Sequence, residues 1–266
     1  MNTPRFAALA ASLALTTVLV AGCKKDSDPV VTAQTGTFSV ELENSVGALP
    51  LNLDTDTYTT AAGDRFTVST FRYYLSNLKL TKADGGSYVV PDSYFLVDQA
   101  KAASQHLEFK NVPVGDYTGL TFTVGVDSAR TKAGNFAGVL DSNNSMWWDW
   151  SKEFINVKLE GRSPQSPSGG LVFHIAGFRG ANGANNTIRT VSPAFPANAK
   201  LLIRADHAPE IHLHADVLGM FAGPSPVRFA TTYNTMSATP VNGLNSVQIA
   251  NNIAAGMFEV EHIHAN

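Results

Sequence analysis

The chain has 266 residues, of which 15% are charged, and a formal net charge of −3. So even a balance excludes the basic surface that nucleic acid or an anionic lipid patch would require, and no nucleic-acid partner is expected. A single cysteine excludes intrachain disulfides and thiolate metal clusters, which leaves apolar burial, aided by any bound metal, to hold the fold.

The first element is a processing signal. Arg5 precedes the apolar run FAALAASLALTTVLV, which ends in Val20-Ala21-Gly22-Cys23. A hydrophobic run too short to span a bilayer comfortably, closed by small residues and a cysteine, reads as a lipoprotein signal peptide over residues 1–22. Cleavage before Cys23 places a lipid on that residue, and the protein is then held to the membrane by the lipid anchor. Lys24 follows Cys23 where inner-membrane retention would use Asp, so the expected location is the outer membrane, facing the periplasm or the cell surface. Residues 23–36 are polar and read as a tether. Residues 37–266, about 230 positions, suit one large β domain.

Period-two alternation dominates that domain. Phe38, Val40 and Leu42 alternate with Ser39, Glu41 and Glu43, and Leu78 and Leu80 with Asn77 and Lys79. Leu120, Phe122, Val124 and Val126 share one face, as do Ile155, Val157 and Leu159. Turn signals at 83–86, 113–116 and 163–170 separate the runs. Two stretches read as helical: one around 142–152, and Asn245 to Gly256, with Gly256 as the stop. The expected fold is all-β, an antiparallel β-sandwich with one or two short helices.

Two His-x-His pairs, His212/His214 and His262/His264, account for four of the seven histidines. In extended backbone, residues i and i+2 share a face, so each pair sets two imidazoles side by side, as transition-metal sites require. His212, His214 and Asp216 lie opposite Ile211, Leu213 and Val217, on a free face where two exposed histidines on an edge strand are the plainer alternative. His262 and His264 share parity with Phe258 and Val260 and continue a core-facing row, where a buried histidine bonded to a carbonyl is the alternative. His174, opposite Phe173 and Ile175, is a fifth candidate.

All three Trp fall in Met146-Trp147-Trp148-Asp149-Trp150. Such a cluster fits a lid on the core, a sugar-stacking platform or a redox-active site. There is no Gly-x-Ser-x-Gly, no phosphate-cradling glycine loop and no His-Glu-x-x-His, so no enzyme is expected.

Several of these segments together resemble the MbnP-like copper-binding proteins: Phe71-Arg72-Tyr73-Tyr74-Leu75-Ser76-Asn77-Leu78, Gly125-Val126-Asp127, Ser145 to Trp150 leading into Lys158-Leu159-Glu160-Gly161, Phe173 to Phe178, and the ending Met257 to His264. The resemblance runs from about residue 37 to the end. It implies an exported β protein that binds copper, expected as Cu(I), through histidine, for which His174, His212, His214, His262 and His264 are the candidates here. It also implies maturation by a di-haem MauG/MbnH-like peroxidase that oxidises Trp148 or Trp150 to kynurenine. One branch of that family carries paired cysteines, which this domain lacks. A carbohydrate- or surface-binding lipoprotein module without metal is the competing reading.

Overall fold

The structure is a computed structural model that describes Met1 and residues 34–134, 136–179, 186–236 and 240–264. The signal peptide, Cys23 and nearly all of the expected tether lie outside the described residues. In chain order the strands begin with β1 (Thr35–Val46), β2 (Leu49–Pro50), β3 (Tyr58–Thr59) and the long β4 (Arg65–Lys82). Then come β5 (Ser87–Val89), β6 (Tyr94–Asp98), β7 (His106–Pro113) and β8 (Gly115–Val124). Helix α1 (Ser128–Ala133) precedes β9 (Trp147–Trp148), β10 (Glu153–Arg162), β11 (Gly170–Ala176), β12 (Arg189–Val191), β13 (Leu201–Ile203) and β14 (Glu210–Asp216). Helix α2 (Pro240–Gly256) and β15 (Phe258–His264) close the described chain. No described helix is long and apolar enough to cross a membrane.

These strands form two sheets. The smaller runs β15-β14-β1-β2, with β7 also on β1; the larger runs β11-β10-β4-β8-β12, with β3, β5, β6, β9 and β13 added along its edges. Pairing is antiparallel throughout the named strands except for β1 with β14, which is parallel because a long stretch of the chain, including the whole larger sheet, separates them. The alternation seen in sequence supplies the facing layers. Phe38, Val40, Leu42, Ile211, Leu213 and Val260 from the smaller sheet join Phe71, Tyr73, Leu80, Leu120, Phe122, Val157 and Leu159 from the larger in one buried core. Phe258 meets Phe122 and Tyr73 across the gap, with ring centroids 5.2 and 5.8 Å apart.

Three local readings differ from the sequence expectation. The stretch around 142–152 is helical only in the single 3-10 turn Ser142–Asn144. Ser145 and Lys152 adopt positive φ (58° and 56°), and between them Trp147 and Trp148 pair with Phe154 and Glu153 as a hairpin. The first helix is instead Ser128–Ala133, started by Asp127, whose carboxylate accepts from the Arg130 N–H. Ile155 departs from Val157 and Leu159 at a register shift and packs into a smaller cluster with Tyr74, Met146, Trp148 and Phe154. Helix α2 ends at Gly256 as expected but starts at Pro240, in keeping with the tolerance of proline in a first helical turn.

Candidate metal centre

The outer face of the smaller sheet carries a polar row that only strand register could assemble. His106 on β7 pairs with Glu41 on β1, Glu41 with His212 on β14, and His212 with His262 on β15. The next row sets Ser39 beside Glu210 and Glu210 beside His264. The side-chain period of two brings both rows to one face.

His262 and His264 reach that face by a correction to the expected parity. Strict alternation from Phe258 and Val260 would send both into the core. Between the pairs His212–His262 and Leu213–Val260 the register shifts, and Glu261 is the extra residue. The bulge reverses the phase. Ile263 then packs against the core, while His262 is half-buried and His264 exposed.

The three rings converge. His212 stacks on His262 with centroids 4.1 Å apart, and His264 stands nearly perpendicular to both, at 4.9 and 4.7 Å. His262 Nε2 and His264 Nε2 are 3.1 Å apart. Two nitrogens on one tetrahedral ion at about 2.0–2.1 Å each lie roughly 3.3 Å apart, so this spacing already suits a shared ion. One ligand atom from each of His212, His262 and His264 lies within 4.8 Å of the others, and the same holds for Glu41, Glu210 and His212.

His212 is the pivot of both groups. Its side chain is 13% exposed, and both ring nitrogens are buried without a hydrogen-bond partner. Nε2 lies 3.5 Å from Glu41 Oε2 and 3.4 Å from Glu210 Oε1, and Nδ1 lies 4.0 Å from Glu43 Oε1. Buried polar atoms are nearly always paired. An imidazole with neither nitrogen hydrogen-bonded, among carboxylates and two further imidazoles, fits a metal ligand by its donor chemistry.

His214 belongs to the row beyond, between Glu43 and Glu259 in register, and lines an open cleft of about 890 Å³ with Glu41, Glu43, Glu259 and Glu261. It shares the face but not the triad. Sequence reasoning did not single out His106, Glu41 or Glu210. Glu41 was visible as the polar phase of β1, and Glu210 shares parity with His212; their meeting needed the β1–β14 register.

His174 is elsewhere, on β11 of the larger sheet. Its side chain is 9% exposed, and Nε2 lies 2.7 Å from Glu160 Oε1. Burial pushes this imidazole below its ordinary value, with Glu160 pulling the other way. Burial would raise the Glu160 carboxyl, but the hydrogen bond from His174 and the Lys158 charge hold it below the usual range. The His174 ring lies 6.2 Å from that of Trp148, which is 7% exposed and packs against Trp150, 61% exposed, with centroids 4.9 Å apart and the rings tilted by 30°. Trp148 packs in the smaller cluster on the outer side of the larger sheet, so the Trp pair and the imidazole triad occupy opposite faces of the sandwich.

Two of the sequence motifs prove to be one interlocked structure beside the Trp segment. Ser76 donates to the Gly125 carbonyl, Asn77 Nδ2 and the Tyr94 hydroxyl donate to Asp127, and Tyr74 donates to the Val139 carbonyl. Arg72 donates to the Asn144 carbonyl. Gly125 is at φ 110°, and a Cβ there would come within 2.6 Å of the Asn156 side chain, so the position requires glycine.

Comparison with known proteins agrees with these motifs. No curated protein matches the chain. A solved structure titled "MbnP from Methylosinus trichosporium" matches with a TM-score of 0.47 and 14% identity over 87% of this chain and 99% of that one. The MbnP family model matches residues 35–238, and the chain therefore belongs to the MbnP family.

Proposed function

We propose that this protein is a lipid-anchored copper-binding protein of the cell envelope, and that it holds copper without catalysing a reaction of its own. The observation that carries the reading is the triad of His212, His262 and His264, with both nitrogens of His212 buried and without a hydrogen bond. Copper bound there would take neutral imidazole nitrogens as ligands. The chain's contribution is to hold three rings from two adjacent strands in convergent positions, with Glu41 and Glu210 beside them.

The Trp pair gives the reading its second part, which rests on the family resemblance. Exposed Trp150, in ring contact with buried Trp148, suits oxidation by a di-haem MauG/MbnH-like partner that contacts only the surface. Kynurenine would form when two peroxide oxygen atoms cleave the indole C2–C3 bond to an N-formyl ketone, the peroxide being reduced to water, and hydrolysis then releases C2 as formate. If Trp148 is the residue converted, the aryl amine arises beside His174, on the face away from the triad.

Metal analysis of protein extracted from its native membrane tests the whole reading. Copper at about one equivalent, lost in His212→Ala, supports it. Metal-free protein that takes up no copper on titration, and instead retains glycans through Trp150, would favour the carbohydrate-binding alternative.

A further inference from the structure

The donor chemistry around the triad points to a particular oxidation state. We infer that the triad is completed by the Glu210 carboxylate into a three-nitrogen, one-oxygen site for a divalent ion, Cu(II) or Zn(II), rather than for copper(I). This rests on the metal-binding reading above.

Glu210 is held ready for the role. The Ser39 hydroxyl donates to its Oε2 at 2.6 Å, and His106 Nδ1 lies 3.4 Å from the same oxygen. That leaves Oε1 directed at His212 Nε2, 3.4 Å away. Glu210 also pairs in register with His264, so it flanks two of the three imidazoles. Ligating carboxylates are themselves commonly fixed by such outer hydrogen bonds. Glu41, on the other side of His212, adds a second negative charge at 3.5 Å.

Among the described residues, no soft donor lies on this face. Copper(I) is selected by thiolate and thioether sulfur, whereas carboxylate oxygen with imidazole suits harder, divalent ions. The only cysteine is Cys23. Met146, Met220 and Met257 are buried in the two cores, and Met236 follows Asn234, which bridges to Val172 on the larger sheet. Glu41, Glu210, Glu43 and Glu261 all lie within 4.0 Å of ring nitrogens of the triad, so a divalent ion offsets more of their charge than a monovalent one. A monovalent ion would leave an excess negative charge among half-buried groups.

The test is competitive titration of the apoprotein with Cu(II), Zn(II) and, under anaerobic reduction, Cu(I), together with electron paramagnetic resonance of the Cu(II) form. The expected result is stoichiometric Cu(II) with nitrogen superhyperfine splitting. Glu210→Gln should lower Cu(II) and Zn(II) affinity about ten- to hundred-fold and leave Cu(I) affinity within about threefold. Circular dichroism of the variant separates lost binding from lost folding, and Ser39→Ala, which only unfastens Glu210, should show a smaller loss of the same sign. Tight Cu(I) binding without Cu(II) or Zn(II) binding would overturn the inference and leave the copper reading standing. Divalent binding unchanged in Glu210→Gln would also overturn it. Failure to bind any of the three ions would overturn both readings.

Discussion

His212 and His262 face each other at one register position of β14 and β15, and their rings stack 4.1 Å apart at an interplanar angle of 19°. Stacked neutral imidazoles have little reason to hold this arrangement on an open sheet face, where each ring nitrogen would otherwise seek water. The ion proposed above would supply that reason.

The first expectation concerns the ligand set. His262→Ala and His264→Ala should each lower copper affinity by tenfold or more, while His214→Ala, on the same face but one row away, should change it by less than about threefold; a ligand is lost only in the first two. Competition against a chelator of known affinity measures this. Equal losses in all three variants would show that the cleft beside Glu43 and Glu259, not the triad, holds the ion.

Next comes the bulge. Glu261 is the residue that reverses the strand phase, and its removal closes the ladder without turning His262 or His264 inward, since Val260 and Ile263 keep their core-facing positions. A Glu261 deletion variant should therefore fold and bind copper within about fivefold of the parent. Loss of binding in a folded deletion variant would mean that the bulge sets ring geometry and not merely which face the rings occupy.

The two tryptophans should separate in stability. Truncating Trp148, buried against Phe154 and Met146 in the smaller cluster, should cost about 3–5 kcal/mol. Trp150→Ala removes a largely exposed ring and should fall within about 0.5 kcal/mol of the parent. Urea unfolding with one slope for all three proteins would measure it.

Acid should weaken the fold through His174 and Glu160. The folded state holds the His174 imidazole below its unfolded value, so below about pH 6.5 the unfolded chain binds more protons and stability falls. The Glu160 carboxyl, also held low, contributes stability above its unfolded value of about 4.3 and loses it as pH falls through its folded value. Thermal midpoints should drop from pH 7 to pH 4, and His174→Gln should flatten the portion between about pH 6.5 and 5. An unchanged slope in that variant would assign the acid sensitivity to other groups.

Local patterning was enough to determine the β-rich class, the buried phases of β1 and β8, the end of α2 and the five candidate histidines, because a period of two and a glycine stop are written in neighbouring residues. The family motifs were legible for the same reason, each being a short run whose members bond to one another or to the next motif, as Ser76 does to Gly125. Strand register decided the rest. It alone joins Glu41 to Glu210 and His212 across a parallel pair far apart in sequence, places His106 in the same row, and assigns His174 to the opposite face with the Trp pair. The phase of His262 and His264 was the sharpest case. A single extra residue reverses every side chain beyond it, and nothing in FEVEHIHAN marks Glu261 as that residue. Only the pairing with β14, which must bury Ile263 and Val260 together, determines where the strand departs from alternation.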